Sequence, residues 1–511
     1  MSDSKNRKLG VILSYASIVI NTLIQLIYLP FLIKMLGQSE YGLYSLINSI
    51  VGYLTVLDLG FGNAIVVYTA KYRAQKKYEE EKKLHGMFLI VFCVIALIAG
   101  VCGFILFLNV DNIFGSTMTT TELYKSKIMM LILTFNLVIT FIFNIYSSIL
   151  NAYEKFVYKK IISLIGTILK PLLMIPFLFL GFKSITMVII ITIINIFTLL
   201  SDYMYCKNKL DIKIKFMGFD KKTFKIIFGY SIWIFLGSIV NKINWSVDQF
   251  VLGAVSGTIA VSIYSVSNSL SSLFLNMSTV MSNLFLPKVT KMIEKNATTT
   301  ELTNEMIKIG RIQFFFFFLA SSGLILFGKD FIVLWVGEKF IQSYYVTLIL
   351  VIPLCFTLIQ NIGLSIMQAM GKFKFYSIIT LIMAIINVIM SVFLAKMYGA
   401  IGSSIGTALS LILCNIIAIN IFYYKNMKLD IVRFWKEIIK IIYPCILPFV
   451  IVFILQKHTN FNACINIIFY GTIYVLIYSM INYHFNMNDY ERDLLKSVSN
   501  KLKVGKKSGN K

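Results

Sequence analysis

Charged residues are few. They make up 14% of 511 positions, where an ordinary soluble protein carries roughly 25%. A soluble domain of this length would need a charged surface, and too little charge is left to make one. Acidic residues are the scarcest, 23 against 48 Lys and Arg. Histidine occurs only at His85, His458 and His484, each near the end of an apolar run. A His-centred triad or a zinc cluster therefore has no material. The seven cysteines (Cys93, Cys102, Cys206, Cys355, Cys414, Cys445, Cys464) lie in or at the ends of apolar runs. None forms a C-x-x-C pair, so neither a disulfide framework nor a zinc site is indicated. The alternating segments of about 10 residues that mark a membrane barrel are missing too. The first apolar run, Leu9 to Leu36, is too long for the core of a signal peptide and lacks an A-x-A-like site. It reads as a first, retained helix.

Apolar residues are abundant, 58% of the chain. They come in runs of about 20, the length of helix that crosses a hydrocarbon core. Backbone facing lipid must satisfy its own hydrogen bonds, so such runs are helices. The pattern predicts an all-α polytopic membrane protein with about fourteen transmembrane helices. Asp330 to Val336 reads as an apolar surface turn after the ninth of them. A net charge of +25 is a common mark of nucleic-acid binding, but its distribution here excludes that partner. With the N-terminus inside, 38 of the 48 basic residues fall in cytoplasmic segments. The positive-inside rule then places both termini in the cytoplasm. Anionic membrane lipids are the natural partners of these basic loops.

An internal repeat emerges at a shift of 220 residues. Asn21 falls on Asn241, Leu32 on Leu252, Gly37 on Gly257, Tyr44-Ser45 on Tyr264-Ser265, and Asn48-Ser49 on Asn268-Ser269. Both copies begin on the same side of the membrane, so the repeat is parallel. It predicts two pseudo-symmetric six-helix lobes, 1–205 and 226–424. A basic cytoplasmic linker, 206–225, joins them. Two extra helices follow over 425–485, and a basic cytoplasmic tail over 486–511.

Ionisable side chains within spans are costly and mark function by default. Away from span ends there are four: Asp58, Lys170, Lys242 and Asp248. In the seventh span Asn241, Asn244 and Asp248 share a face at i, i+3, i+7 spacing, with Gln249 adjoining. Lys242 points about 120° away from Asp248, which disfavours a direct ion pair. Asn268 in span eight, Asn48 in span two, and Asn21 and Gln25 in span one extend the polar set. Two readings stand. Small polar residues pack membrane helices together, or these amides line a wet cavity whose hydrogen bonds suit sugar hydroxyls. Lys170, just before Pro171, either snorkels or faces the cavity, where a cation would attract a diphosphate. Asp58 and Asp248 are candidate ion-coupling groups.

Two motif matches are decoys. Gly323-x4-Gly328-Lys329 resembles a phosphate loop, but Asp330 stands where Ser or Thr should ligate magnesium. Gly402-Ser403-Ser404-Ile405-Gly406 fits a nucleophile elbow but lacks the strand context and a His partner. It reads better as a packing face. No cofactor, metal or catalytic residue is expected, and an enzyme is not.

The residues then match a known family. They are Pro30-Phe31-Leu32, Leu36-Gly37-x-x-x-Tyr41-Gly42-Leu43-Tyr44, Asp58-Leu59-Gly60-Phe61-Gly62-Asn63-Ala64 and Tyr68-x-Ala70-x-Tyr72-Arg73. Leu334-Trp335-Val336-Gly337-Glu338-x-Phe340 and Tyr398-Gly399-Ala400-Ile401-Gly402 continue the match. The chain resembles the Wzx-type polysaccharide-unit flippases of the multidrug/oligosaccharidyl-lipid/polysaccharide exporter superfamily. The resemblance implies two lobes alternating between inward-open and outward-open states. It implies an undecaprenyl-diphosphate-linked oligosaccharide as substrate, and a polysaccharide polymerase and other glycan-assembly proteins as neighbours. Family members often carry a basic residue just before the aromatic matched by Tyr68; here it is Val67. That leaves Lys170 and Lys242, by chemistry, as the diphosphate candidates. A drug or cation antiporter of the same superfamily and a non-transporting scaffold of a glycan-assembly complex are the alternatives.

Overall fold

The computed structural model describes residues 3–216, 221–458 and 461–496, apart from some side chains within helices. The described residues are helices joined by short turns, with no strand among them. Among the described residues, twelve helices are long and apolar enough to cross a membrane. Many large apolar side chains on them are exposed, such as Leu97, Phe179, Phe393 and Tyr443. Lipid is the solvent such surfaces require.

Two of the helices are not straight rods. Lys221–Glu294 breaks at Gly257 (φ 80°, ψ −177°). Phe373–Leu411 breaks at Gly399 (φ 57°, ψ −133°). Both glycines stand where the sequence ends one span and begins the next. A residue with a Cβ pays a steric penalty at such positive φ, which is why glycine marks the corners. The second span is also discontinuous. Gln38–Leu54 gives way to a 3-10 turn over Thr55–Asp58, and the helix restarts at Phe61. Leu59 (φ 52°) and Gly60 (φ 72°) form the joint. The expected turn at Asp330–Val336 is not there. Thr299–Val336 is one continuous helix that ends against Gly337 (φ 96°). No Gly or Pro lies within 330–336 to interrupt it, and Asp330 is held by the Asn466 amide at 2.6 Å.

Backbone conformation repeats along the chain at the spacing of the sequence repeat. Gly37 (φ 83°, ψ 169°) adopts nearly the conformation of Gly257. Lys76 (φ 58°) and Asn296 (φ 55°), 220 residues apart, both take up the left-handed region that L side chains rarely enter. Each closes the same helix end: Lys77 N–H donates to Tyr72 O, and Ala297 N–H donates to Met292 O. Farther on the spacing shortens to 217. Glu154 pairs with Gly371, and Asp211 with Lys428, again by positive φ. Ile212 N–H donates to Cys206 O just as Leu429 N–H donates to Tyr423 O.

The chain forms two compact units. One comprises Met1–Val266 and Ala384–Gly406; the other comprises Ser267–Met383 and Thr407–Lys511. In the first, helix 38–54 runs antiparallel along the arm before Gly257. Ser49 Oγ donates to Ser246 O, and a Cβ on Gly253 would meet the Leu46 side chain at 2.5 Å. In the second, a capping box of Thr298 and Glu301 starts the long helix Thr299–Val336. Arg311 on that helix holds Glu491 through two bonds, of 2.7 and 3.0 Å, and also donates to Asn486 O. The pair ties residues beyond helix 463–486 to helix Thr299–Val336.

Candidate functional site

In the first unit a cluster of polar side chains surrounds Asp248, on the arm before Gly257. Asp248 is completely buried. A buried carboxylate must be compensated, and three hydroxyls converge on it. Tyr264 donates to Oδ2 at 2.7 Å. Ser391 and Ser403 donate to Oδ1 at 2.9 and 2.6 Å. Asn387 Oδ1 lies 3.2 Å from Ser391 Oγ, one turn away on the same helix. The donors thus come from three segments: the arm after Gly257, and the arms before and after Gly399. Tyr53, on helix 38–54, stands within electrostatic reach of Asp248. Its buried hydroxyl has no hydrogen-bond partner among the described residues.

Close helix contact makes this convergence possible. A Cβ on Gly402 would sit 1.9 Å from Leu394 O, and one on Gly406 would sit 2.8 Å from Ser391 Oγ. The Gly402–Gly406 face therefore brings the two arms around Gly399 together, and Ser403 between the glycines reaches Asp248. The packing face is legible in the sequence; Ser391, Ser403 and Tyr264 as partners of Asp248 are not. Serines spaced over more than a hundred residues carry no local signal. The neighbouring Gln249 donates to Ser265 Oγ at 3.0 Å.

Lys242 is half-buried. Its Nζ lies 3.4 Å from where a Gly52 Cβ would stand, so the ammonium rests against helix 38–54. Asn241 and Asn244 are on the same helix, but their side chains lie outside the described residues. Asn48 and Asn21 are exposed, and Gln25 is half-buried. Asn268 is half-buried in the second unit. Lys170 is exposed on Phe156–Phe179, a helix that runs unbroken through Pro171 and Pro176. Pro171 has no N–H, so the Thr167 carbonyl loses its usual helical donor.

Asp58 belongs to a different arrangement. It precedes the restarted helix, accepts from Asn144 Nδ2 at 2.7 Å, and also accepts backbone N–H bonds from Gly60 and Gly62. A carboxylate at a helix N-terminus is favoured by the helix dipole. Gly62 allows the approach: a Cβ there would lie 3.2 Å from Ser148 Oγ. The Asp58-to-Asn63 block thus builds a joint in the second span.

Among the described residues of the second unit, mainly apolar side chains line cavities. One, of about 720 Å³, is lined by Phe315, Phe316, Leu319, Tyr478, Met487 and Leu495 among others. Another, of about 390 Å³, is lined by Phe314, Phe317, Phe318, Cys355, Phe356 and Phe449 among others. Their walls suit hydrocarbon rather than sugar hydroxyls. Among the described residues, no group of three His, Cys, Asp or Glu side chains could hold a metal ion.

Known proteins share this architecture. The "Putative O-antigen transporter" of Shigella flexneri is 24% identical over 405 residues, which cover 77% of this chain and 92% of that protein. The structure of the lipid II flippase MurJ in an inward closed conformation superposes with a TM-score of 0.75 at 18% identity. That match covers 95% of this chain and 99% of MurJ. An inward-facing multidrug resistance MATE family transporter of the MOP superfamily gives 0.62 at 16% identity, covering 81% of this chain and 99% of its own. These likenesses establish the fold. Residues 8–292, more than half the chain, match the model of the polysaccharide biosynthesis protein family, and the chain belongs to that family.

Proposed function

We propose that this protein is a flippase for a lipid-linked oligosaccharide, carrying an undecaprenyl-diphosphate-linked glycan from the cytoplasmic to the outer leaflet for surface polysaccharide assembly. The observation that carries the reading is the family match together with a relative described as an O-antigen transporter, matched over 92% of its length. In this reading the chain lies in a bacterial inner membrane with both ends in the cytoplasm. Divided at Gly257 and Gly399, its spans number fourteen. Two six-helix lobes, 1–205 and 226–424, joined by the basic linker 206–225, enclose a wet passage. The helices of 425–485 and the basic tail 486–511 are additions to the repeat. The recurring left-handed residues at 220 and 217 positions support the two-lobe arrangement.

A glycan head bearing a diphosphate is too polar to enter hydrocarbon unaided. A shielded path lowers that barrier while the lipid tail stays in the bilayer. Lys242 and Lys170 are the cations proposed to meet the diphosphate. Asn241, Asn244, Gln249, Asn268, Asn48, Asn21 and Gln25 are the amides proposed to meet hydroxyls. Asp248 is the stronger ion-coupling candidate of the two carboxylates. Its carboxylate oxygens and the hydroxyl oxygens of Tyr264, Ser391 and Ser403 around them are hard donors, suited to a proton or a small hard cation. Asp58 is tied into a helix joint and has less freedom to change partners. Anionic lipids at the basic loops and a polysaccharide polymerase nearby are the expected company.

Two assays test the reading. The gene should restore surface polysaccharide to a strain lacking its own flippase, and the purified protein should move a lipid-linked oligosaccharide between leaflets of liposomes. Drug efflux without glycan export would instead identify an antiporter. Correct insertion with neither activity would identify a scaffold.

A further inference from the structure

In the first unit, the first turns of four helices meet at the end away from the basic loops. Glu122, in the first turn of Thr120–Ala152, accepts from the Ser39 hydroxyl and from Thr258 Oγ1 at 2.8 Å. Its other oxygen takes the Thr119 N–H and hydroxyl, both at 2.9 Å. Ser39 and Thr258 hydroxyls are themselves 3.3 Å apart. Beside them Glu40 binds the Lys125 ammonium and accepts from Ser184 Oγ at 2.5 Å. Thr117 donates to Gly253 O at 2.7 Å.

One turn deeper, helix 38–54 crosses the arm after Gly257. A Cβ built on Gly42 would lie 1.9 Å from Thr258 O and 3.2 Å from Ser262 Cβ. Positions 42 and 262 are 220 apart, the spacing at which backbone conformation repeats. A residue that touches its own repeat mate lies on the pseudo-two-fold axis. This end of the repeat pair is therefore shut on the axis itself. It can open only if helix 38–54 and the arm after Gly257 part.

We propose that this crossing is the outer gate, with Gly42 as its close-packed seat and Glu122 as its latch. The proposal rests on the flippase reading for its purpose. The bonds from Glu122 to Thr119 and Ser39 lie within the first copy and survive opening. The bonds from Thr258 to Glu122 and Ser39, and from Thr117 to Gly253, join the copies and must break. Glu122 is a carboxylate aimed at helix N-termini, where negative charge is favoured, so it strengthens the closed state. Gly42 is needed because any side chain would strike the Thr258 carbonyl. Neither residue need touch the glycan; both set how often the outer end opens.

The test is solvent access at Ser262, whose hydroxyl donates to Ile259 O on its own helix at 2.7 Å. A Ser262→Cys variant in right-side-out vesicles is labelled with a membrane-impermeant maleimide, after subtraction of labelling of the parent's own cysteines. The exposed position Thr121, as Thr121→Cys, gives the unrestricted rate. Ser262→Cys should label slowly. Adding Glu122→Ala should speed it about tenfold, the effect of losing one charge-assisted bond. Adding Gly42→Ala should speed it at least as much, and Glu122→Gln should fall between. If Gly42→Ala does not accumulate, Glu122→Ala and Thr258→Val carry the test. Labelling of Ser262→Cys as fast as Thr121→Cys overturns the gate. So does labelling unmoved by Glu122→Ala and Thr258→Val in inserted protein. Labelling that responds, with no glycan transfer in liposomes, leaves the gate standing and removes the flippase reading. Transfer with unresponsive labelling removes the gate alone.

Discussion

Replacing Asp248 separates its structural duty from its proposed role in coupling. Three hydroxyls donate to its two oxygens. Hydrogen bonds to a charged group contribute about 1.5–3 kcal/mol each, and neutral ones about 0.5–1.5. Asp248→Asn keeps the shape and one carbonyl oxygen, and Tyr264 can turn its hydroxyl to accept. The three weaker bonds would cost about 3 kcal/mol in all. Against that, removing a buried charge returns several kcal/mol of desolvation. The net change in stability should lie within about 1–2 kcal/mol of zero. Asp248→Ala is different. It leaves three buried hydroxyls without their acceptor, at about 1–3 kcal/mol each where they find no other. Ser391 retains the Ser403 carbonyl at 3.4 Å and Asn387, so a loss of about 3–5 kcal/mol is expected. Thermal unfolding in detergent reads the first difference; glycan transfer under imposed proton or sodium gradients reads the second. Asn should unfold near the parent temperature yet lose the response to the gradient. If Asn transports with an unchanged gradient response, Asp248 does not couple ions. If Ala is as stable as Asn, the convergence of hydroxyls does not hold the fold.

Other perturbations follow from the same geometry. Lys242→Ala and Lys170→Ala should each lower glycan export while the protein still inserts, measured by complementation with membrane-fraction controls; normal export in both removes them as diphosphate contacts. Arg311→Ala should destabilise the second unit by about 3–5 kcal/mol, because Glu491 is then buried without its partner. Arg311→Met with Glu491→Leu should recover much of that loss, and equal melting of single and double variants would contradict the reasoning. Gly402→Ala should cost about 1–3 kcal/mol or more, since its Cβ meets Leu394 O; an unchanged melting temperature would mean the arms around Gly399 are not packed as described.

Much of the fold was legible because its causes are local. Runs of apolar residues dictate helices in lipid, and Gly257 and Gly399 mark the corners where one helix turns into the next. The offset of 220 was visible in Gly37 and Gly257, and those two positions share a backbone conformation. The joint at Leu59-Gly60 was harder to see, since its flanks remain apolar. The Asp330–Val336 turn was misread for the opposite reason: a charged residue interrupted an apolar run without any helix breaker, and the helix simply continued to Gly337.

The site was legible in part. Asp248 drew notice as an ionisable group inside a span, but its partners Ser391 and Ser403 are ordinary serines more than 140 positions away. Only tertiary packing across the Gly402–Gly406 face selects them. Glu122 had a local signal that went unused: Thr119-x-x-Glu122 has the spacing of a capping box, and it forms one. What no local pattern could give is the second use of that carboxylate, which depends on Thr258 arriving from 136 positions away.

The central claim is that this chain moves a lipid-linked glycan through the bilayer. Purified protein in liposomes, supplied with a fluorescent undecaprenyl-diphosphate oligosaccharide on one face, tests it most directly. The account predicts that label appears on the opposite leaflet, accessible to an impermeant quencher, faster than in protein-free liposomes and more slowly with Lys242→Ala. Equal rates with and without the protein, in correctly inserted and folded preparations, would contradict it.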